Sequence, residues 1–134
     1  MRVRLILPAV AVALAACGGG SSSTPTPTPT STLTISGNAA AGAPLAGIVT
    51  IKDSTGQQKT VSIGSDGGYS VDVSDMTAPF VFRASGAVGG RSYVLHSAAT
   101  AADVGGTINI TPFTDLIIAN IAGQVAENYF NGYS

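Results

Sequence analysis

Thr60-Val61-Ser62-Ile63, a break at Gly64-Ser65-Asp66-Gly67-Gly68, and then Tyr69-Ser70-Val71-Asp72-Val73 is the stretch that decides the fold class. Apolar and polar side chains alternate on either side of a glycine-bearing turn. Alternation with period two places one set of side chains against a core and the other in water, the signature of two half-buried β-strands. Working outward, Val49 and Ile51 alternate with Thr50 and Lys52, and that strand stops at the turn Asp53-Ser54-Thr55-Gly56. Leu33 and Ile35 open a strand before it, and Gly37, Asn38, Gly42 and Pro44 mark the loop between the two. Further strands are expected at residues 80–84, 92–98 and 107–110, with Gly86 and Gly89-Gly90 as a hairpin. The count is about seven strands, which predicts an all-β antiparallel sandwich.

The spacing of these strands is that of immunoglobulin-like sandwiches. The motifs narrow it further: Gly42-Ala43-Pro44-Leu45-Ala46-Gly47, then a β-branched strand, then Lys52-Asp53-Ser54-Thr55-Gly56, then Ser65-Asp66-Gly67-Gly68-Tyr69-Ser70-Val71. In this order they closely resemble the carboxypeptidase regulatory-like domain, over residues 33–111. The resemblance implies a transthyretin-like (prealbumin-like) sandwich of the kind found in exported bacterial proteins. It confers no peptidase chemistry on these residues. Gly47 and Gly67 or Gly68 suit turn positions with positive φ, and Tyr69 is expected to bury its ring while its hydroxyl finds a backbone partner.

At Thr111-Pro112 the period changes. Thr111 is a helix N-cap with proline at the first helical position, and Phe113, Ile117, Ile121, Val125 and Tyr129 recur every fourth residue beside Leu116. One amphipathic helix over residues 112–134 is predicted, its stripe packed on the sandwich, weakened at Gly123 by about 1 kcal/mol and stopped at Asn131-Gly132.

The N-terminus points to export. Arg2 and Arg4 precede a run of apolar residues, 5–16, too short to span a hydrocarbon core of about 30 Å. Leu14-Ala15-Ala16-Cys17 closes it. This looks like a bacterial lipoprotein signal peptide, residues 1–16, ending in a lipobox at Leu14, Ala15 and Ala16. The resemblance implies that Cys17 is acylated, palmitate included, and becomes the mature N-terminus. With Gly18 following, it implies outer-membrane localisation. Residues 17–32 read as a linker: Gly/Ser coil, then Thr-Pro repeats in extended polyproline II, about 20 Å for seven residues. Their Ser/Thr/Pro density permits O-glycosylation.

The chain carries six basic and seven acidic side chains; without Arg2 and Arg4 four remain against seven. A net charge of about −3 and no basic stripe exclude nucleic acid as a partner. The single cysteine excludes a disulfide within the chain, so stability must come from packing.

The search for catalytic residues finds none. His96 is the only histidine, and alternation places it with Ser92 and Val94 on the face opposite Tyr93 and Leu95, as a partly exposed strand histidine. No Gly-x-Ser-x-Gly elbow, P-loop or dinucleotide-binding glycine run occurs. Asp66, or Asp72 with Asp75, would be the place to look for calcium, but these lie at turns and lack the spacing of a calcium loop, so neither a metal nor another cofactor is expected. Asn109-Ile110-Thr111 matches a glycosylation acceptor. The expected function is therefore that of a membrane-anchored, non-enzymatic binding or structural accessory module of the cell envelope, with an envelope protein or glycan as partner. The alternative is the N-terminal regulatory fragment of a larger envelope enzyme, a peptidase or glycan hydrolase.

Overall fold

A computed structural model of the protein describes Pro27 and residues Ser31–Ser134. The expected signal peptide, the lipobox Leu14, Ala15 and Ala16, the acylated Cys17 and the linker up to Thr30 lie outside the described residues, apart from Pro27.

Residues Ser31–Ser134 form one compact unit. It holds six strands, β1 (Thr34–Asn38), β2 (Ala46–Asp53), β3 (Gln58–Ser62), β4 (Gly68–Asp72), β5 (Phe80–Val88) and β6 (Arg91–Ala99), followed by helices α1 (Pro112–Ala122) and α2 (Ala126–Gly132). The strands make two antiparallel sheets, β1-β4 and β3-β2-β5-β6, which do not close on each other. Every strand expected from the alternation is present except that at 107–110.

The core lies between the sheets. Ile35 of β1 and Tyr69 and Val71 of β4 meet Val49 and Ile51 of β2, Phe80, Phe82 and Ala84 of β5, and Leu95 of β6. Removing these side chains from water is the main drive to fold, about 1.5–3 kcal/mol for each large one. Tyr69 behaves as its sequence context predicts: its ring is buried and tilted against Phe82, and its hydroxyl donates to the carbonyl of Ile108 at 2.5 Å. Burial pushes that hydroxyl's pKa well above its ordinary value.

β2 and β5 are central strands and are buried on both faces at Val49–Asp53 and Phe80–Phe82. One face meets the other sheet, while the opposite face receives the C-terminal helices.

Residues 107–110 do not form a seventh antiparallel strand. They run parallel to β1, meeting it at isolated bridges, Ser36 with Thr107 and Ala39 with Ile110. Ile108 N donates to Ser36 O and Ile110 N to Asn38 O, but side chains interrupt the ladder between them. The carbonyl of Ile108 is taken by the Tyr69 hydroxyl, and Asn38 N turns instead to Oδ1 of Asn109, at 3.0 Å. The approach is close enough that a Cβ at Gly37 would lie 1.8 Å from Ile108 O.

Gly67 has φ +84° at the turn into β4, as expected. Gly47 does not have positive φ; it lies inside β2, paired with Gly86 of β5. A Cβ there would sit 2.0 Å from Ser85 O, and one at Gly86 would sit 2.5 Å from Ala46 O. Close backbone approach, rather than turn geometry, is what excludes a side chain at this rung.

The single C-terminal helix is two. Thr111 caps α1 as expected, exchanging hydrogen bonds with Thr114, and Pro112 takes the first helical position. Gly123, however, adopts φ +64°, a left-handed conformation that ends the helix. α2 restarts at Ala126 on a new axis. The stripe expected to pack on the sandwich instead faces solvent: Phe113 is 71% exposed and Ile121 79%, with Leu116, Ile117 and Val125 also exposed. Ile118, Ala126 and Phe130 make the buried contacts instead.

Candidate functional site

On the face of the larger sheet away from the core, alternation lines up Lys52 on β2, Arg83 on β5 and His96 on β6, with Arg83 and His96 directly opposite in register. Three basic side chains on one sheet face need acceptors if they are to be covered. The helices supply them. His96 is 2% exposed, so the expectation of a partly exposed histidine is corrected; its face was read rightly, but α1 and α2 cover that end of the face.

His96 Nδ1 lies 2.6 Å from Oδ1 of Asp115 on α1, and Nε2 lies 2.9 Å from Oε2 of Glu127 on α2. Each ring nitrogen of His96 thus faces a carboxylate oxygen, one from each helix. Arg83 Nη1 donates to the other oxygen of Glu127, at 2.9 Å. Burial pushes the Glu127 carboxyl upward, but the hydrogen bonds from His96 and Arg83 and their charges outweigh it and hold it below the ordinary range. Glu127 thus contributes stability above its unfolded-state pKa that is lost as pH falls through the lower, folded one.

The remaining contacts finish the clamp. Phe130 of α2 lies over the basic row, its ring centroid 4.7 Å from Cζ of Arg83 and 5.9 Å from the His96 ring. Lys52 Nζ donates to the carbonyls of Phe130 and Asn131 at 3.2 and 3.1 Å at the end of α2, where the Phe130 carbonyl also accepts from Tyr133 N. Thr114 Oγ1 donates to the backbone carbonyl of His96, so α1 is tied to β6 by backbone as well as side chain.

Catalysis by a histidine needs a ring nitrogen free to take or give a proton. Here both are held by carboxylates, and the arrangement fixes two helices to a sheet. A cleft of about 290 Å³ opens beside it, lined by Val94, His96, Asp115, Val125, Ala126 and Glu127. A larger apolar cleft, about 550 Å³, lies at the other end of the sandwich between Leu33, Val73, Met76 and Phe80.

The aspartates considered for calcium are not brought together. Asp66 accepts from Gly68 N, Asp72 from the amide and hydroxyl of Ser74, and Asp75 pairs with Lys59. Among the described residues no three His, Cys, Asp or Glu side chains group so as to hold a metal ion. Asp53, at the turn where β2 was expected to stop, is buried and accepts from Thr55 N, Thr55 Oγ1, Gln57 N and Thr77 N.

Asp115, Glu127, Arg83 and Lys52 were not picked out by sequence reasoning. Arg83 and His96 carried a signal, since both interrupt apolar runs at positions two strands would align. Comparison with known proteins returns no matching family model, no matching curated protein and no matching solved structure.

Proposed function

We propose that this chain is an exported lipoprotein, held at the outer membrane by acyl groups on Cys17, whose β-rich unit is a non-enzymatic binding module of the cell envelope. Its architecture on this reading is a variant of the prealbumin-like sandwich in which residues 107–110, bridged in parallel to β1, stand in the place of the seventh strand. The observation that carries the binding role is the bare apolar face of α1, where Phe113, Leu116, Ile117 and Ile121 stand in water although buried positions exist on the same helix. Isolated exposed apolar side chains are ordinary, but a contiguous row marks a surface meant for a partner. The His96 cluster supports this by holding that helix rigidly in place.

Cys17→Ser tests the anchor. The unaltered chain is expected in the membrane fraction, released only by detergent, with the signal peptide removed; Cys17→Ser is expected to lose most membrane association and to remain unprocessed. A Cys17→Ser chain that is processed and membrane-bound like the original would remove the lipoprotein assignment. The alternative, the regulatory part of a larger envelope enzyme, is favoured by the same bare face, which a catalytic region would cover. A genomic reading frame running on into such a region would replace the first reading.

A further inference from the structure

α2 is fastened to the sheet through one carboxylate with no oxygen to spare. Oε1 of Glu127 accepts from Arg83 Nη1 and Oε2 faces His96 Nε2, each at 2.9 Å. Taking up a proton turns one oxygen of a carboxyl group into a donor. On one side that donor meets the Arg83 guanidinium, and on the other an imidazole, which in acid carries an N–H on both nitrogens. Either way two donors are set against each other. We infer that Glu127 is the trigger of an acid-released strap: on its protonation α2 swings off the sheet, while α1 and the sandwich beneath stay in place.

The charges around the trigger all favour release. From the sheet come only cations, Lys52 of β2, Arg83 of β5 and His96 of β6, with Lys52 and His96 buried. From the helices come Asp115, the one ionisable side chain of α1, and Glu127, the one carboxylate of α2, whose Tyr129 does not titrate in acid. Acid thus removes negative charge from the cover and no positive charge from beneath it. A cation kept from water without a partner is costly, and moving α2 aside returns Lys52 and Arg83 to solvent.

Asp115 is not a second trigger. Only its Oδ1 faces His96, so a proton on Oδ2 leaves that contact standing. α1 is held besides by Thr114 Oγ1, which donates to the carbonyl of His96, and by buried Ile118. α2 has less in reserve: of its buried side chains Ala126 is small, and the Phe130 ring lies over the Arg83 cation. The folded-state pKa of Glu127 is the lower one, so its hold on α2 is complete above the ordinary carboxylate range and is lost as pH falls through the folded value. Asp53, the buried carboxylate of the sandwich, is held further down, at about 2, so the sheets outlast the strap.

Amide hydrogen exchange of the full chain in detergent, from pH 7 to 3, tests the strap. Each rate is divided by that of an unstructured chain at the same pH, which removes the pH dependence of the exchange chemistry. Protection in residues 128–132 is expected to fall at least about tenfold across this range while α1, β2 and β5 keep theirs. Glu127→Gln, which has the shape of the protonated side chain, is expected to show the open α2 already at pH 7 and little further change in acid. Protection of α2 that persists until β2 and β5 lose theirs would overturn the strap, as would α1 opening together with α2. So would Glu127→Gln with α2 still protected at pH 7, or with the sheets exposed along with it.

Discussion

Asp53→Ala is expected to lower the free energy of unfolding by about 2–4 kcal/mol. Asp53 closes the β2–β3 turn and ties it to the segment before β5. Its Oδ1 accepts from Thr55 N, Thr55 Oγ1 and Gln57 N at 2.7–2.9 Å, and Oδ2 accepts from Thr77 N at 2.8 Å. With alanine, the amides of Thr55, Gln57 and Thr77 lose the acceptor that holds the turn to the segment before β5, although these three residues are themselves exposed and can turn to water. Burial alone would raise the carboxyl's pKa, yet the hydrogen bonds from Thr77, Thr55 and Gln57 overcome that and hold it at about 2.

Because the folded pKa lies below the unfolded one, this carboxylate stabilises the fold fully above pH about 5 and loses its contribution as pH falls from about 4 to 2, some 2 kcal/mol in all. Urea unfolding of the two proteins between pH 7 and 2 measures both effects. The original protein should lose more stability over the acid limb than Asp53→Ala does. Parallel pH curves would show that the carboxylate is not held as described.

The second large effect is expected at His96. His96→Ala removes the donor shared by Asp115 and Glu127 and opens a cavity beneath Phe130, at a cost of about 2–4 kcal/mol. The carboxylates are partly exposed, which places the loss below that of a fully buried pair. It should be local. Amide hydrogens of α1 and α2 should exchange much faster while those of β2 and β5 stay protected, because the helices rest on the sheet through this cluster whereas the strands are held by the core. A His96→Ala/Glu127→Ala double-mutant cycle should give a coupling of about 1–2 kcal/mol. Unchanged exchange in the helices would mean that the apolar contacts of Ile118, Ala126 and Phe130 hold them without the histidine.

The fold was legible wherever alternation was strict. The six strands carry their faces in their sequence, as Val49 and Ile51 against Thr50 and Lys52 make plain, and the Thr111-Pro112 cap announces α1. Residues 107–110 carry the same pattern, but alternation does not say which neighbour a segment takes or in which direction, and here the Tyr69 hydroxyl and the Asn109 side chain occupy the ladder. The candidate site was hidden for a different reason. On one continuous helix Asp115 and Glu127 stand twelve positions apart, about 120° around the axis at 100° per residue, and could not both reach His96. Only the left-handed turn at Gly123 brings them to one imidazole, and a glycine within an apolar helical pattern reads first as a weak point rather than as a corner. Nor does an apolar stripe say which side of α1 meets the sheet: Thr114 and Asp115 are bonded to His96 and Ile118 is buried, which turns the row from Phe113 to Ile121 outward.

Gly47 and Gly86 bear on how such a chain diverges. Each would drive a methyl group into the main chain of the opposite strand, so no compensating change in a neighbouring side chain makes room for either replacement. Loops, helix surface and even core side chains can drift by mutual accommodation, but this rung cannot. Descendants that keep the sheet must inherit both glycines together, which makes the pair a more durable mark of common ancestry than any of the residues around His96.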